Sequence, residues 1–337
     1  MFFLLICQYI FSQTGTALHF DGTDDYVDCG NHTSVQITGT AITLEATVFI
    51  DSFEDAVYKG NIINKENNTD EHGYMLRVGG NGAVNFAVGV QTSSYESGEC
   101  YPTCWVEVTT PENTVQTGQT HHLAATDSGQ MLIIYVDGVQ ISSEPFLYDY
   151  NIGNTTQPLR LGNRHGNDRP FSGAIDEVRI WNVVRTAQEI SNNKDAELTL
   201  PQQGLVAYYT FNQGTANGDN TGETTLEDAL DTNDGTLNNF LLSSTSSNWV
   251  DFSSLFVQTP KRRMLSYYSN PVGNRLRLES PYKIQSLAIY DLFGREVMAK
   301  SPQKQNLWLN TYSLSSGVYM LNVQTAEGQQ TVKLVKK

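Results

Sequence analysis

Basic side chains, cysteines and long apolar runs are all scarce in this 337-residue sequence, and each shortage removes a class of function. Lys and Arg number 21 against 36 Asp and Glu, for a net charge of −15. The shortage is uneven. From Lys261 onward there are 12 basic and 4 acidic residues, or +8, which leaves 9 basic and 32 acidic residues, or −23, before it. A body of −23 repels phosphate backbones, so nucleic acid is excluded as a partner while divalent cations stay open. The change of sign also marks a domain boundary.

The apolar run from Phe2 to Phe11 is too short to span a bilayer, and no later run approaches that length, so the chain is expected not to be membrane-spanning. Followed by small and polar residues, the run has the form of a secretory h-region. Residues 1–12 are the expected signal peptide, with cleavage between Ser12 and Gln13. Only four cysteines occur. Cys29 alternates with Val27 in "YVDCGN" and reads as a small buried strand residue. Cys100 and Cys104, in "CYPTC", can close a small disulfide in an oxidising compartment. Zinc spacing is missing.

Catalytic patterns are missing as well. Retaining glycosidases need two carboxylates about 5 Å apart, and no Glu-x-Asp-x-Glu alternation supplies them. No Gly-x-Ser-x-Gly elbow is present. Asp176 and Glu177 are neighbours in "IDEVRIW", and the two-residue strand period sends them to opposite faces. "LEDALD" is acidic but sits in a loop pattern. His121 and His122 read as strand residues, one facing in and one out.

What the sequence does contain is short strands. Long helical periodicity is absent from residue 17 to about 200, where β-rich arms are broken by Gly, Asn and Asp. "MLIIYVDGVQISS" joins two arms at Asp137-Gly138, the pair that favours a type I′ hairpin. "YMLRVGGNGAVNFAVGV" is a second hairpin turning through Gly79 to Gly82. "AITLEATVFI" places Ile42, Leu44, Ala46 and Val48 on one face. A short helix is expected at "RTAQEISNN", where Thr186 and Glu189 have capping-box spacing. Such a pattern predicts an all-β, antiparallel two-sheet sandwich.

"LHFDGTDDYVDCGN", "HHLAATDSGQMLIIYVDGVQI" and "FSGAIDEVRIWNVVRTAQEI" resemble the laminin-G-like, concanavalin A-like jelly rolls of bacterial surface proteins. The resemblance covers residues 17 to 200 and implies a jelly roll related to lectins and pentraxins. "GLVAYYTFNQGTA" to "DGTLNNF" is similar to the first strands of many relatives, but here follows the helix. Residues 204–250 are too few to form a core alone, so they are expected to dock on the same sandwich, a jelly roll spanning 17–252. Residues 253–268 read as a linker.

Residues 269–337 form a small β-sandwich that resembles, motif by motif, the C-terminal sorting domain of the type IX secretion system of Bacteroidetes. The matching positions are Asn270-Pro271, Tyr290-Asp291 with Gly294-Arg295, Gly317-Val318-Tyr319, and the end from Lys333 to Lys337, which includes Lys336. The resemblance implies a translocon as partner and a secreted or cell-surface location.

Candidate site residues follow from chemistry and from the first resemblance together. Asp21 and Asp176, on strands expected to lie side by side, with the Gly22 and Gly173 carbonyls, would make an oxygen-rich calcium site, and the resemblance implies calcium in a number of relatives. The rival reading is that they cap turns. Tyr95, Tyr101 and Trp105 cluster around the Cys100–Cys104 loop as an aromatic rim for sugars. Asn163 and Arg164 form a polar loop. Binding of a polysaccharide or surface glycan, or adhesion, without catalysis is the leading expectation. A glycan-cleaving enzyme of the same fold and a protein-binding adhesin are the alternatives.

Overall fold

The computed structural model describes residues 15–67, 69–92, 103–146, 150–252, 266–268, 271–291, 295–325 and 328–337. The expected signal peptide, Tyr95, Cys100, Tyr101, Asn270 and Gly294 lie outside the described residues. The chain divides into two compact units, residues 1–257 and 258–337. Among the described residues, no helix is long and apolar enough to cross a membrane.

The first unit is a pair of antiparallel sheets. One contains β1 (Thr16–Asp21), β3 (Ile42–Ile50), β8 (Thr120–Asp127), β9 (Met131–Val136), β10 (Val139–Pro145), β13 (Ser172–Trp181), β14 (Leu205–Tyr209) and β17 (Asn248–Asp251). They run in the order β10-β9-β8-β3-β13-β1-β17, with β14 paired to the far end of β13. The other contains β2 (Tyr26–Asp28), β4 (Asn61–Asn67), β5 (His72–Gly79), β6 (Ala83–Thr92), β7 (Thr103–Thr109), β11 (Tyr150–Ile152), β12 (Arg160–Leu161), β15 (Thr225–Leu226) and β16 (Gly235–Asn238). Its order is β11-β6-β5-β4-β12-β2-β16-β15, with β7 also on β6.

Alternation explains the layers. Ile42, Leu44, Ala46, Val48 and Ile50 of β3 are all fully buried and join Leu76, Val84, Phe86 and Val88 of the other sheet in one core. β9 and β10 meet at Asp137 and Gly138, both with positive φ (53° and 77°), which is the backbone a type I′ turn requires. Residues 205–251 belong to both sheets: β14 pairs β13, β17 pairs β1 and β16 pairs β2. Tyr209, Phe211 and Trp249 place their rings in the shared core. The α-helix α1 (Ala187–Asn193) begins at a Thr186–Glu189 capping box and buries Ile190, against Ala124 and Tyr135.

The second unit has its own two antiparallel sheets. One has the order β18 (Ser266–Tyr268), β19 (Arg275–Ile284), β22 (Lys304–Asn310); the other β21 (Glu296–Lys300), β20 (Ser286–Tyr290), β23 (Gly317–Thr325), β24 (Gly328–Lys336). Val272, Leu276, Leu278, Ile289, Leu321 and Leu334 make its separate core. Ser266–Tyr268, left in the linker by the sequence reading, pair with β19. The module therefore begins earlier than residue 269, because three residues suffice for an edge strand.

Candidate functional site

A cleft lies at one margin of the sandwich, where four separate segments converge. Thr40 approaches from the connection before β3, Gln91 and Thr92 from the end of β6, Ser128 to Gln130 from the β8–β9 turn, and Tyr150 and Asn151 from edge strand β11. The cavity is about 570 Å³, within the range of small-ligand sites. Thr40, Gln91, Ser128, Gln130 and Asn151 are exposed, so their hydroxyls and amides face solvent. Its floor is built by hydrogen bonds. Gly129, at φ 78°, brings its backbone so close to Thr40 that a Cβ there would lie 2.8 Å from the threonine Cβ. The Gln130 carbonyl accepts from the Phe146 N–H at 2.8 Å.

Behind the cleft sits a buried carboxyl. Asp127 is fully buried; its Oδ1 accepts from the Tyr150 hydroxyl at 2.5 Å and from the Gly129 N–H at 2.9 Å. Its Oδ2 is buried without a hydrogen-bond partner. Burial pushes this carboxyl up to about 6, against the Tyr150 and Gly129 hydrogen bonds. Tyr150 in turn packs edge-on against Phe146 with centroids 5.1 Å apart.

Asp25 titrates in the same direction: burial raises it to about 6. A carboxyl that holds its proton more tightly folded than unfolded contributes stability that is complete below the unfolded value near 4 and lost as pH rises through 6. The urea midpoint is therefore expected to be lower at pH 7.5 than at pH 5. Asp127→Asn, uncharged at both, should narrow that difference by on the order of 1 kcal/mol, the part of the titration that lies above pH 5. A variant whose midpoint moves with pH as much as the native chain would refute this.

The residues expected from sequence fall elsewhere. Asp21 and Asp176 are not brought together. Asp21 is the Cα partner of Ser172, which leaves Asp176 four residues, about 13 Å, further along β13. Asp21 instead lies with Asp24 and Asp25, ligand oxygens within 4.8 Å of one another. Oxygen donors suit a hard cation, but the trio already bonds itself: Asp21 Oδ1 accepts from the Thr23 N–H, and both Asp25 oxygens are taken, by the Asp21 N–H and the Ser247 hydroxyl. These carboxylates fit a self-capped loop. Asn163 is fully buried, and its Oδ1 accepts from the Arg164 and Arg169 N–H groups, so it braces a loop and does not face a ligand. Arg164 is committed to Asp168 (2.5 and 2.7 Å) and Glu66 (3.0 Å). Trp105 is half-buried on β7 opposite Gly89. Cys104 is disulfide-bonded, and Cys29 is free and buried.

Asp176 and Glu177 require a second correction. The register against β3 slips between Asp176 and Arg179, and Glu177 adopts φ 52°. This bulge puts one extra residue in the strand, so both carboxyls enter one buried cluster on the sheet face away from the main core. Arg179 is its centre: it donates to Glu177 at 2.5 Å and to the Ala196 and Asn193 carbonyls at 2.6 and 2.9 Å, and lies 3.8 Å from Glu45. Tyr208 donates to Glu177 and Trp181 Nε1 to Glu45 at 2.7 Å. His122 is 3.3 Å from Glu45. Burial, then the Glu177 charge, drives Asp176 well above the usual carboxylate range. Against burial, His122 and Arg179 hold Glu45 below it. Glu45, Asp176 and Glu177 are 1–3% exposed.

In the second unit, Asp291 accepts from the Arg295 backbone N–H and Nε, both at 3.0 Å, closing the turn after Tyr290. Gly317 opens β23, and the Tyr319 hydroxyl donates to the Ser315 carbonyl at 3.0 Å. Lys333 and Lys336 lie on β24 opposite Met320 and Gly317. Val272, next to Pro271, bridges Lys336.

Sequence reasoning missed the cleft. Its amides and hydroxyls come from positions near 40, 91, 129 and 150, each an ordinary turn or strand end, and only strand order unites them.

The family model described as the concanavalin A-like lectin/glucanases superfamily matches residues 21–191. The model described as the secretion system C-terminal sorting domain matches residues 266–337. No curated protein matches the chain. Among solved structures, a putative carbohydrate binding protein from Bacteroides ovatus is 23% identical with a TM-score of 0.49, over 67% of this chain and 58% of that one. The chain thus spans under two thirds of that protein's length. A SAP-like pentraxin from Limulus polyphemus is 14% identical at TM-score 0.38, over 53% and 81% of the two chains. The CBM40 of a Ruminococcus gnavus IT-sialidase bound to α2,3 sialyllactose is 12% identical at 0.41, over 53% and 96%. The chain belongs to the concanavalin A-like lectin/glucanase superfamily and carries a type IX C-terminal sorting domain, which sends it to the cell surface or beyond.

Proposed function

We propose that this chain is an exported saccharide-binding protein that does not cleave its ligand, and that the cleft between Thr40, Gln91, Gln130 and Asn151 is where the sugar sits. The observation that carries this reading is the convergence of exposed amides and hydroxyls on one cavity of a lectin-superfamily sandwich. Amides both donate and accept, which matches the paired donor and acceptor character of sugar hydroxyls. The carboxyls that could serve as acid and base, Glu45, Asp176 and Glu177, are sealed beneath the connection from β13 to β14. A glycosidase needs its pair open to the glycosidic bond.

The test is affinity electrophoresis of the full chain through gels containing single polysaccharides. The Q130A/N151A pair is expected to weaken retention by roughly tenfold or more, the scale of one or two good hydrogen bonds. Both positions are exposed, so the melting temperature should stay where it is. Undiminished retention in the double variant would move the binding site away from the cleft, and reducing ends released from a retained polysaccharide would end the non-catalytic reading.

A further inference from the structure

We infer that the saccharide segment held in the cleft is uncharged, an inference that rests on the saccharide-binding reading above. Acidic sugars, whether uronate, sialate or sulfated, are gripped by charge-assisted bonds from Arg or Lys. Among the described residues, no such side chain lines this cavity. Among the described residues of its wall, the one ionisable group is the Tyr150 hydroxyl, which donates its hydrogen bond to Asp127 at 2.5 Å, so the ring offers carbon edge and not charge.

The basic residues of the first unit are placed elsewhere. Before Lys261 there are nine. Arg179 is locked in its buried cluster, Arg77 in bonds to Asn85 and Glu107, Arg164 on Asp168 and Glu66, and Lys65 on the Asn31 side chain and the Gln157 carbonyl. Arg160 pairs with Asp28 and lies over the Tyr26 ring. The stretches that flank the cleft in sequence, 93–102 and 147–149, contain no Lys or Arg but do contain Glu96, Glu99 and Asp149.

What stands behind the wall is a negative charge. Asp127 has one carboxylate oxygen without a partner, in a setting of low dielectric where charge acts over a longer reach than in water. An anionic sugar entering the cleft would meet the field of that unbalanced oxygen and of a body at −23. A neutral sugar meets only hydroxyls and amides. The cleft therefore discriminates by what it lacks, a form of specificity that rests on unfavourable encounter with the wrong ligand as much as on contact with the right one.

The experiment compares the full chain on neutral polysaccharides (laminarin, galactomannan, xylan) and on acidic ones (alginate, polygalacturonate, chondroitin sulfate), each at 50 and 500 mM salt. The expected result is retention on at least one neutral polymer that changes less than twofold with salt, lost in the Q130A/N151A pair, with no retention on the acidic set. Gln130 is exposed, so a Gln130→Lys variant should fold and should gain retention on an acidic polymer at low salt while losing it at high salt. Retention of the native chain on an acidic polymer that the double variant abolishes overturns the neutral assignment and keeps the saccharide reading. No retention on either set overturns both.

Discussion

Removing residues 266–337 abolishes arrival of the chain at the cell surface, and attaching residues 261–337 to an unrelated reporter carries that reporter out. Both outcomes are expected in a host with a working type IX translocon. The physical ground is that the tail is a complete object. It has two sheets and a core of its own, and residues 261–337 carry a net charge of +8 against −23 for the rest. Its turns are closed by its own side chains, Asp291 on Arg295 and Tyr319 on Ser315. A module that folds by itself can be read as a shape independent of its cargo, which is why its charge has no need to match. The reading of a folded surface makes a sharper prediction. Leu321 is fully buried in that core, and Leu321→Asp would bury an unpaired carboxylate at a cost of several kcal/mol, enough to unfold a module of this size. It should therefore stop export as completely as the deletion does. Surface labelling or protease accessibility on intact cells checks all three. Full surface exposure of the truncated chain, or a reporter held in the periplasm, would refute the assignment, and normal export of L321D would show that a linear signal is read in place of a fold.

Short-range patterns carry the fold class in this sequence. The Asp137-Gly138 turn, the Thr186–Glu189 cap and the Ile42 to Val48 alternation each depend on residues within a few positions of one another, and each has its expected geometry. The sites depend on something else. Asp21 and Asp176 sit on neighbouring strands, yet a register offset of four residues separates them, and register is set by the whole set of core contacts. Asp176 and Glu177 violate the two-residue period because of one bulge, and a bulge has no local signature beyond the tolerance of a residue for positive φ. Asn163 looks like a polar loop residue, but its side chain replaces missing backbone partners inside the loop. The cleft is the hardest case. Gln91 and Asn151 become neighbours only because β11 extends the sheet beside the end of β6.

Replacing Arg179 with Met is expected to cost about 3–5 kcal/mol, the usual effect of removing one partner from a buried ion pair. Arg179 is fully buried, and Met fills much of its volume without its charge, so the loss is electrostatic more than a matter of packing. Four groups lose their partner together. Glu177 loses a 2.5 Å bond, Glu45 loses its nearby positive charge, and the Asn193 and Ala196 carbonyls lose their donor. Those carbonyls tie the end of α1 to β13, so the connection to β14 should loosen with them. Arg179→Lys should recover only part of the loss, since one ammonium cannot span a carboxylate and two carbonyls in the fork geometry of a guanidinium. The sign of the pH dependence separates this account from simple misfit. Burial already raises Glu177, and Arg179 opposes that rise; without the arginine, Glu177 should hold its proton to higher pH. The R179M deficit should therefore shrink as pH falls and the carboxyl becomes neutral, and Glu177→Gln in the same background should restore a large share of the stability at pH 7. Urea unfolding at pH 5 and pH 7.5, with an unchanged m-value, measures this. A loss below 1 kcal/mol, or one equal at both pH values, would mean the cluster is not held by this charge. Saccharide retention of the folded R179M chain should stay at the native level, because the cluster braces one sheet while the cleft is built from turns and strand ends that Arg179 does not touch.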